Sequence, residues 1–335
     1  MAIARYVVRR LGYLAIALFI VSLITFVVTR VLPGNPVYLI VGVQADQAIA
    51  DAVAVRLGLD LPVQEQYLRY LGQLFLGDLG SSWRTGNPVS FDLAARWPAT
   101  IELASVALLV ALLWSIPLGI VAGLRERSAS DRIASALSGF GVSIPEFWLG
   151  MVLILVFFGI LGIAPPPLGR TLGDIPPVVT GFLLVDALID GDGTALGAAL
   201  RQIVLPATTL GFVIGAPLLR TTRTFMREAM LSQYVRSAKA LGLPHRSIVL
   251  RHALPNVLLP VTTMLAMLYG YLLGGTVLVE YVFAWPGIGK YAVDSISSSD
   301  YAPVMAAVLL SAVSYLLVYL VTDLLHFFID PRTRS

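Results

Sequence analysis

The stretch Gln233-Tyr-Val-Arg-Ser-Ala-Lys-Ala-Leu-Gly242-Leu-Pro-His-Arg-Ser-Ile-Val-Leu-Arg251-His-Ala-Leu-Pro255-Asn-Val-Leu-Leu-Pro260 decides how this chain is read. It predicts two short helices separated by a break. Tyr234, Ala238 and Leu241 recur at i, i+4 and i+7, the spacing of one helical face. Gly242 suits the left-handed residue that ends a helix, and Pro244 suits the first turn of the next. Arg223, Arg227, Arg236, Lys239, Arg246 and Arg251 lie in or near this unit, with Glu228 as the only nearby acid. Long apolar runs flank it on both sides, so it reads as a basic helix-turn-helix between two membrane spans, and its cations place it in the cytoplasm. A DNA-reading helix needs a soluble domain free to enter a major groove. These helices are tethered to spans at both ends, so no nucleic acid partner is expected. A loop that only fixed topology would need the charge, but not the Ala-x-x-x-Gly step or the paired helices.

Composition agrees with a bilayer. The 335 residues are 57% hydrophobic and 13% charged, whereas about a quarter of a typical soluble domain is charged. There is no cysteine, which removes disulfides and thiolate chemistry. Three histidines at 245, 252 and 326 are scattered and form no metal-ligand spacing. Six apolar runs are each long enough to cross about 30 Å of hydrocarbon: 11–31, 100–124, 133–163, 202–220, 254–279 and 303–329. Pro117, Pro206 and Pro217 predict kinks or breaks. Fifteen of the 23 cations fall in the segments that this count places inside, although the outer segments are longer. The fold class is therefore all-α and polytopic, with six spans and both termini cytoplasmic.

Between spans, 32–98 is rich in acids and reads as external, with an amphipathic helix near 63–76 set by Val63, Tyr67, Leu71 and Leu74. Glu102 is expected near water at the outer end of its span, and Asp323 near the cytoplasm, paired or hydrated rather than carrying a proton. Residues 178–189 predict a short helix against the outer face. Tyr281, Phe283 and Trp285 suit a membrane interface. Glu146 follows Pro145 inside the third run. An acid within a span is by default a functional group, here one that could meet a peptide amine in a pathway. The competing reading is that Pro145 ends a helix and leaves Glu146 at the interface.

At Arg236-Ser237-Ala238, Gly242 and Leu254-Pro255 the chain resembles the permease subunits of ATP-binding-cassette importers, whose loop signature runs Glu-Ala-Ala, three residues, Gly, nine residues, Ile-x-Leu-Pro. Arg236, Ser237 and His252 depart from it. The wording Arg-x-Ala-Lys-Ala-Leu-Gly and Arg-His-Ala-Leu-Pro-Asn256 resembles the dipeptide, oligopeptide and nickel branch, as do 57–82 and the phrase Glu280-Tyr-Val-Phe-Ala-Trp285-Pro286-Gly287-Ile-Gly289-Lys290. The resemblance implies a type I importer permease fold in a prokaryotic cell membrane: 1–31 as N-terminus and first span, 32–98 as an external subdomain, and 99–330 as a five-helix core with a coupling loop at 221–252. It further implies that Tyr234, Arg236, Ser237, Ala238, Lys239, Gly242, Leu243 and Pro244 dock on a separate ATPase, a small Ala238 and a bare Gly242 allowing close approach. The implied partners are a second permease, two ATPase subunits and an extracytoplasmic binding protein. Peptides are the implied cargo, and nickel, glutathione or oligosaccharide the alternatives.

No phosphate-binding Gly-x-x-x-x-Gly-Lys-Ser/Thr loop, His-Glu-x-x-His or Gly-x-Ser-x-Gly occurs, so no catalysis is expected of this chain, and ATP and Mg are expected in the partner ATPases. An ion-coupled carrier would tend to carry ionisable residues deep in its spans. Those are nearly absent here.

Overall fold

The apolar runs, too long for a soluble core, become the longest helices. In this computed structural model residues 2–31, 37, 46–56, 58–173 and 175–329 are described. The helices are α1 (Ala2–Val31), α2 (Gln47–Arg56), α3 (Val63–Phe75), α4 (Val89–Leu124), α5 (Ala129–Ser143), α6 (Glu146–Leu153, extended by a π-helical Ile154–Ile160) and α7 (Leu183–Asp190). They continue as α8 (Gly193–Leu231), α9 (Gln233–Ala240), α10 (His245–Ser247, extended by a π-helical Ile248–Ala253), α11 (Leu254–Gly275), α12 (Val277–Val282), α13 (Ile288–Ser297) and α14 (Tyr301–Ile329). Among the described residues there is no strand, only an isolated bridge between Ser81 and Pro88.

Five helical stretches are long and apolar enough to cross a membrane, and α5 with α6 makes a sixth if a pair bent by 105° counts as one span. Their contacts with α8 favour the single span. Asp131 meets Arg223, Gly141 abuts Ala216, Gly150 abuts Thr209, and the Pro166 carbonyl accepts from Gln202. As the chain advances from 131 to 166 its partners on α8 step from 223 back to 202. The pair therefore progresses in one direction along α8 and does not turn back. Pro145 causes the break, because its ring cannot continue α5 and it has no N–H for the Gly141 carbonyl.

The centre of the bundle is α4 against α8, parallel and close. Gly211 lies against the Ala107 carbonyl and Val110, and Gly215 against the Trp114 indole, whose Nε1 donates to the Gly211 carbonyl at 3.1 Å. Gly119 meets Thr222, and Gly123 meets Met226. Small residues on facing helices let backbones approach where lipid offers no hydrophobic drive. Ala104, Ala107, Ala111, Leu210 and Ile214 fill the same seam and are buried. A Gly215→Val substitution would set a β-carbon 2.6 Å from the Trp114 ring. Overpacking of this kind costs about 1–3 kcal/mol, so a lowered melting temperature of the purified protein is expected, and an unchanged one would contradict the tight seam.

Several expectations need correction. α4 begins at Val89 and α8 runs from Gly193 to Leu231, straight through Pro98, Pro117, Pro206 and Pro217. Residues 89–98 and 221–231 are thus helix extensions rather than loop. The short helix expected over 178–189 starts only at Leu183. Glu102 is buried, not hydrated, because the segment after α6 folds over it and supplies Arg170. Phe283 and Trp285 are buried while Tyr281 is exposed. The Trp285 ring can leave the interface because its Nε1 donates to the Ala99 carbonyl at 2.8 Å. Of the two states expected of Asp323, paired or hydrated, the structure shows the pair, with Arg10 at 2.8 Å. Residues 33–36, 57 and 330–334 lie outside the described residues.

Away from α9, the other end of the bundle is tied together by polar contacts. The Tyr67 and Ser22 hydroxyls of α3 and α1 lie 2.9 Å apart, and the Phe26 ring packs on Tyr67 and Tyr70. Ser82 donates to Asp300 at 2.6 Å, Tyr291 donates to Asp92 at 2.9 Å, and the Arg96 guanidinium lies 4.6 Å from the Tyr291 ring centre. Burial alone would raise the Asp186 carboxyl, but hydrogen bonds from Thr180 Oγ1 and from the Thr180 and Gly181 amides hold it below the usual carboxylate range.

Candidate functional site

At the basic end, α8 stops at Ser232, whose hydroxyl bonds back to the Ala229 carbonyl at 2.5 Å. The chain turns and α9 begins. It ends in a Schellman motif: Leu243 N–H donates to the Ala238 carbonyl (3.2 Å), Gly242 N–H donates to the Lys239 carbonyl (3.0 Å), and Gly242 sits at φ +73°. Pro244 is the extended residue just before α10, one place earlier than the first turn expected of it. Pro255 stands just past the junction of the π-helical turn with α11, inside one continuous helix, and Asn256 Nδ2 donates to the His252 carbonyl at 2.8 Å. Leu254 is half-buried beside Ala253 and ahead of Val257, both buried.

The faces of α9 differ from the expectation. Val235 and Ala238 are the buried pair and pack with Met226, Ala229, Ile248, Val249 and Ala253. Tyr234 and Leu241 point away, Leu241 being 80% exposed. Ala238 is therefore small because its own chain covers it, not because a partner approaches it. At Gly242 an added β-carbon would meet nothing within 4 Å, so the requirement there is the left-handed backbone and not close approach. What α9 and α10 leave uncovered is a mixed surface of Tyr234, Leu241, Leu243 and Leu250 among the exposed Arg236, Ser237, Lys239, Arg246 and Arg251. Ion pairs brace the base of this surface, Arg223 to Asp131 at 2.5 Å and Arg227 to Glu126.

The phrase 280–290 forms a second centre, at the opposite end. The Glu280 carboxylate is fully buried and accepts from Thr100 Oγ1 (2.7 Å), Thr276 Oγ1 (3.1 Å) and the Lys290 amide (3.0 Å). Thr100 Oγ1 in turn accepts from the Ile288 amide at 2.9 Å. Gly287 and Gly289 leave no space for a side chain: the Glu280 carboxylate fills one position and Val277 the other. Pro286, just before Gly287, lies against Gly169. Glu280 thus caps α13 and joins it to α4 and α12. Its role was invisible in the sequence, where it reads as one more acid in an external loop.

Glu146 opens α6 just past the bend. It is half-buried, and Tyr271 Oη lies 3.5 Å from its carboxylate. Among the described residues no group of three or more His, Cys, Asp or Glu could hold a metal ion.

A helical bundle with five or six helices apolar enough to span, no strand among the described residues and an exposed basic turn between two of them is a polytopic membrane protein. The chain belongs to the family described as binding-protein-dependent transport system inner membrane component, whose model matches residues 115–335, and the N-terminal model of that component matches 3–104. It is 45% identical to the probable D,D-dipeptide transport system permease protein DdpB of Escherichia coli (strain K12), over 93% of this chain and 92% of that one. It is 40% identical to the di/tripeptide transport system permease protein DppB of Pseudomonas aeruginosa (strain UCBPP-PA14), over 98% of each. A glutathione transport system permease protein, GsiC of Escherichia coli O6:H1, is 34% identical over 98% of each. The chain is thus the permease component of a transport system.

Proposed function

We propose that this chain is one of two permease subunits of an ATP-driven peptide importer in a prokaryotic inner or plasma membrane, with both termini and α9 in the cytoplasm. The uncovered surface of α9 and α10 carries the reading: a rigid, braced, positively charged helix pair with apolar tips has the chemistry of a docking site for a subunit that supplies work. That subunit is an ATPase holding ATP and Mg. An extracytoplasmic binding protein would dock at the Glu280 end, and the pathway would run between the two permeases. Peptide cargo is favoured by the names of the relatives at 45% and 40% identity. Glutathione, itself a peptide, fits the same class.

Reconstitution tests this. Proteoliposomes holding this chain, its second permease and the ATPases should accumulate labelled dipeptide only with ATP inside and binding protein outside. Uptake by this chain alone down an ion gradient would replace the reading with a secondary carrier.

A further inference from the structure

Several acids in or beside the helices are matched within the chain. Glu102 has Arg170, Asp131 has Arg223, Asp323 has Arg10, and Glu280 has two threonine hydroxyls and an amide. Glu146 is the exception. Its one neighbour is the Tyr271 hydroxyl, and no cation lies within ion-pair distance of it among the described residues.

Its depth follows from the steps along α8. Glu146 falls between the contact of Gly141 with Ala216 and that of Gly150 with Thr209. The apolar part of α8 runs over 202–220, so Glu146 lies level with its middle. Facing lipid there, a charge would cost at least about 2.5 kcal/mol. Yet the position opens outward, flanked by the exposed rings of Phe147, Trp148 and Tyr271. Glu146 is the first residue of α6, so the N-terminal amides of that helix follow it across the bend from the end of α5. Discontinuous spans are where transporters gather such groups at mid-depth. A carboxylate, a phenol oxygen and aromatic faces make one kind of site: one for a cation with N–H donors.

We propose that Glu146, positioned by Tyr271, is the point in the translocation path that receives the free ammonium of a peptide amino terminus. This rests on the peptide-importer reading above. The surrounding aromatic rings favour a transient substrate over a fixed ion pair to the second permease, since they can shelter varied peptide side chains around one constant charge.

The test uses the full complex in proteoliposomes with loaded binding protein, comparing wild type, Glu146→Gln, Glu146→Asp and Tyr271→Phe. Uptake of a free-amine dipeptide by Glu146→Gln should fall roughly tenfold or more, the worth of a hydrogen bond to a charged group. Glu146→Asp should recover part of the loss, and Tyr271→Phe should lose less. Co-purification of the second permease and ATP hydrolysis stimulated by the binding protein should be unchanged. Wild-type kinetics in Glu146→Gln would overturn the inference alone. So would loss of the second permease from that variant, which would put the missing cation on the neighbouring subunit. A wild-type complex that moves no peptide with ATP would remove the transport reading and this inference with it.

Discussion

Glu280→Ala is expected to leave little folded protein in the membrane, and what is purified should melt well below wild type. The side chain has no exposed surface, and removing it strands three donors at once: the hydroxyls of Thr100 and Thr276 and the amide of Lys290. Each buried unsatisfied donor costs about 1–3 kcal/mol, and the vacated volume adds a cavity. The α13 start also loses its cap. A total of about 3–5 kcal/mol follows, typical of breaking a buried polar network. Glu280→Gln should fall between, because it keeps the shape but turns an amide N–H₂ towards groups that are themselves donors. Melting curves of the two variants in one detergent decide the matter. A wild-type melting temperature for Glu280→Ala would mean that the network holds nothing together.

The same cluster shows where sequence reading stops. The spans were legible because hydrocarbon thickness demands long apolar runs, and the break after Gly242 was legible because a left-handed helix end leaves a glycine signature. Partners distant in the chain leave no such mark. Glu102 and Arg170 are separated by 68 positions, and nothing local says that the segment carrying Arg170 folds back over α4. Trp285 looked interfacial because its indole usually wants water, and only the Ala99 carbonyl makes its burial tolerable. On α9 the spacing of Tyr234, Ala238 and Leu241 was genuine helical periodicity, but periodicity does not say which stripe is buried. Val235 with Ala238 is the pair that the basic end of α8 and the start of α11 cover. The depth of Glu146 was open for the same reason: a Pro-Glu pair in an apolar run marks a break, while the level of that break is set by the contacts of α5 and α6 with α8.

Gly242→Val is expected to separate ATP hydrolysis from transport while the protein still inserts and melts normally. The residue sits at φ +73°, a conformation that costs an ordinary L-residue roughly 1–2 kcal/mol and a β-branched one more. No neighbouring atom lies within 4 Å of where its β-carbon would go, so the substitution clashes with nothing and the strain is relieved locally. The relief comes from opening the Schellman turn, that is, from losing the bonds of Leu243 and Gly242 to Ala238 and Lys239. Val235 and Ala238 remain anchored in the core, while Leu241 and Leu243 change direction. Those two side chains are part of the exposed apolar tip of the docking surface. A partner that pushes on a misdirected tip loses its lever without losing its own chemistry. Uptake should therefore fall by about tenfold or more, the equivalent of about 1.4 kcal/mol, with basal ATP hydrolysis by the complex retained. Gly242→Ala should be milder, since it has no β-branch to strain. Melting temperature, co-purified ATPase, hydrolysis rate and uptake rate, measured on one preparation, separate this outcome from simple misfolding. Wild-type uptake by Gly242→Val would show that the geometry of this turn does not carry the work.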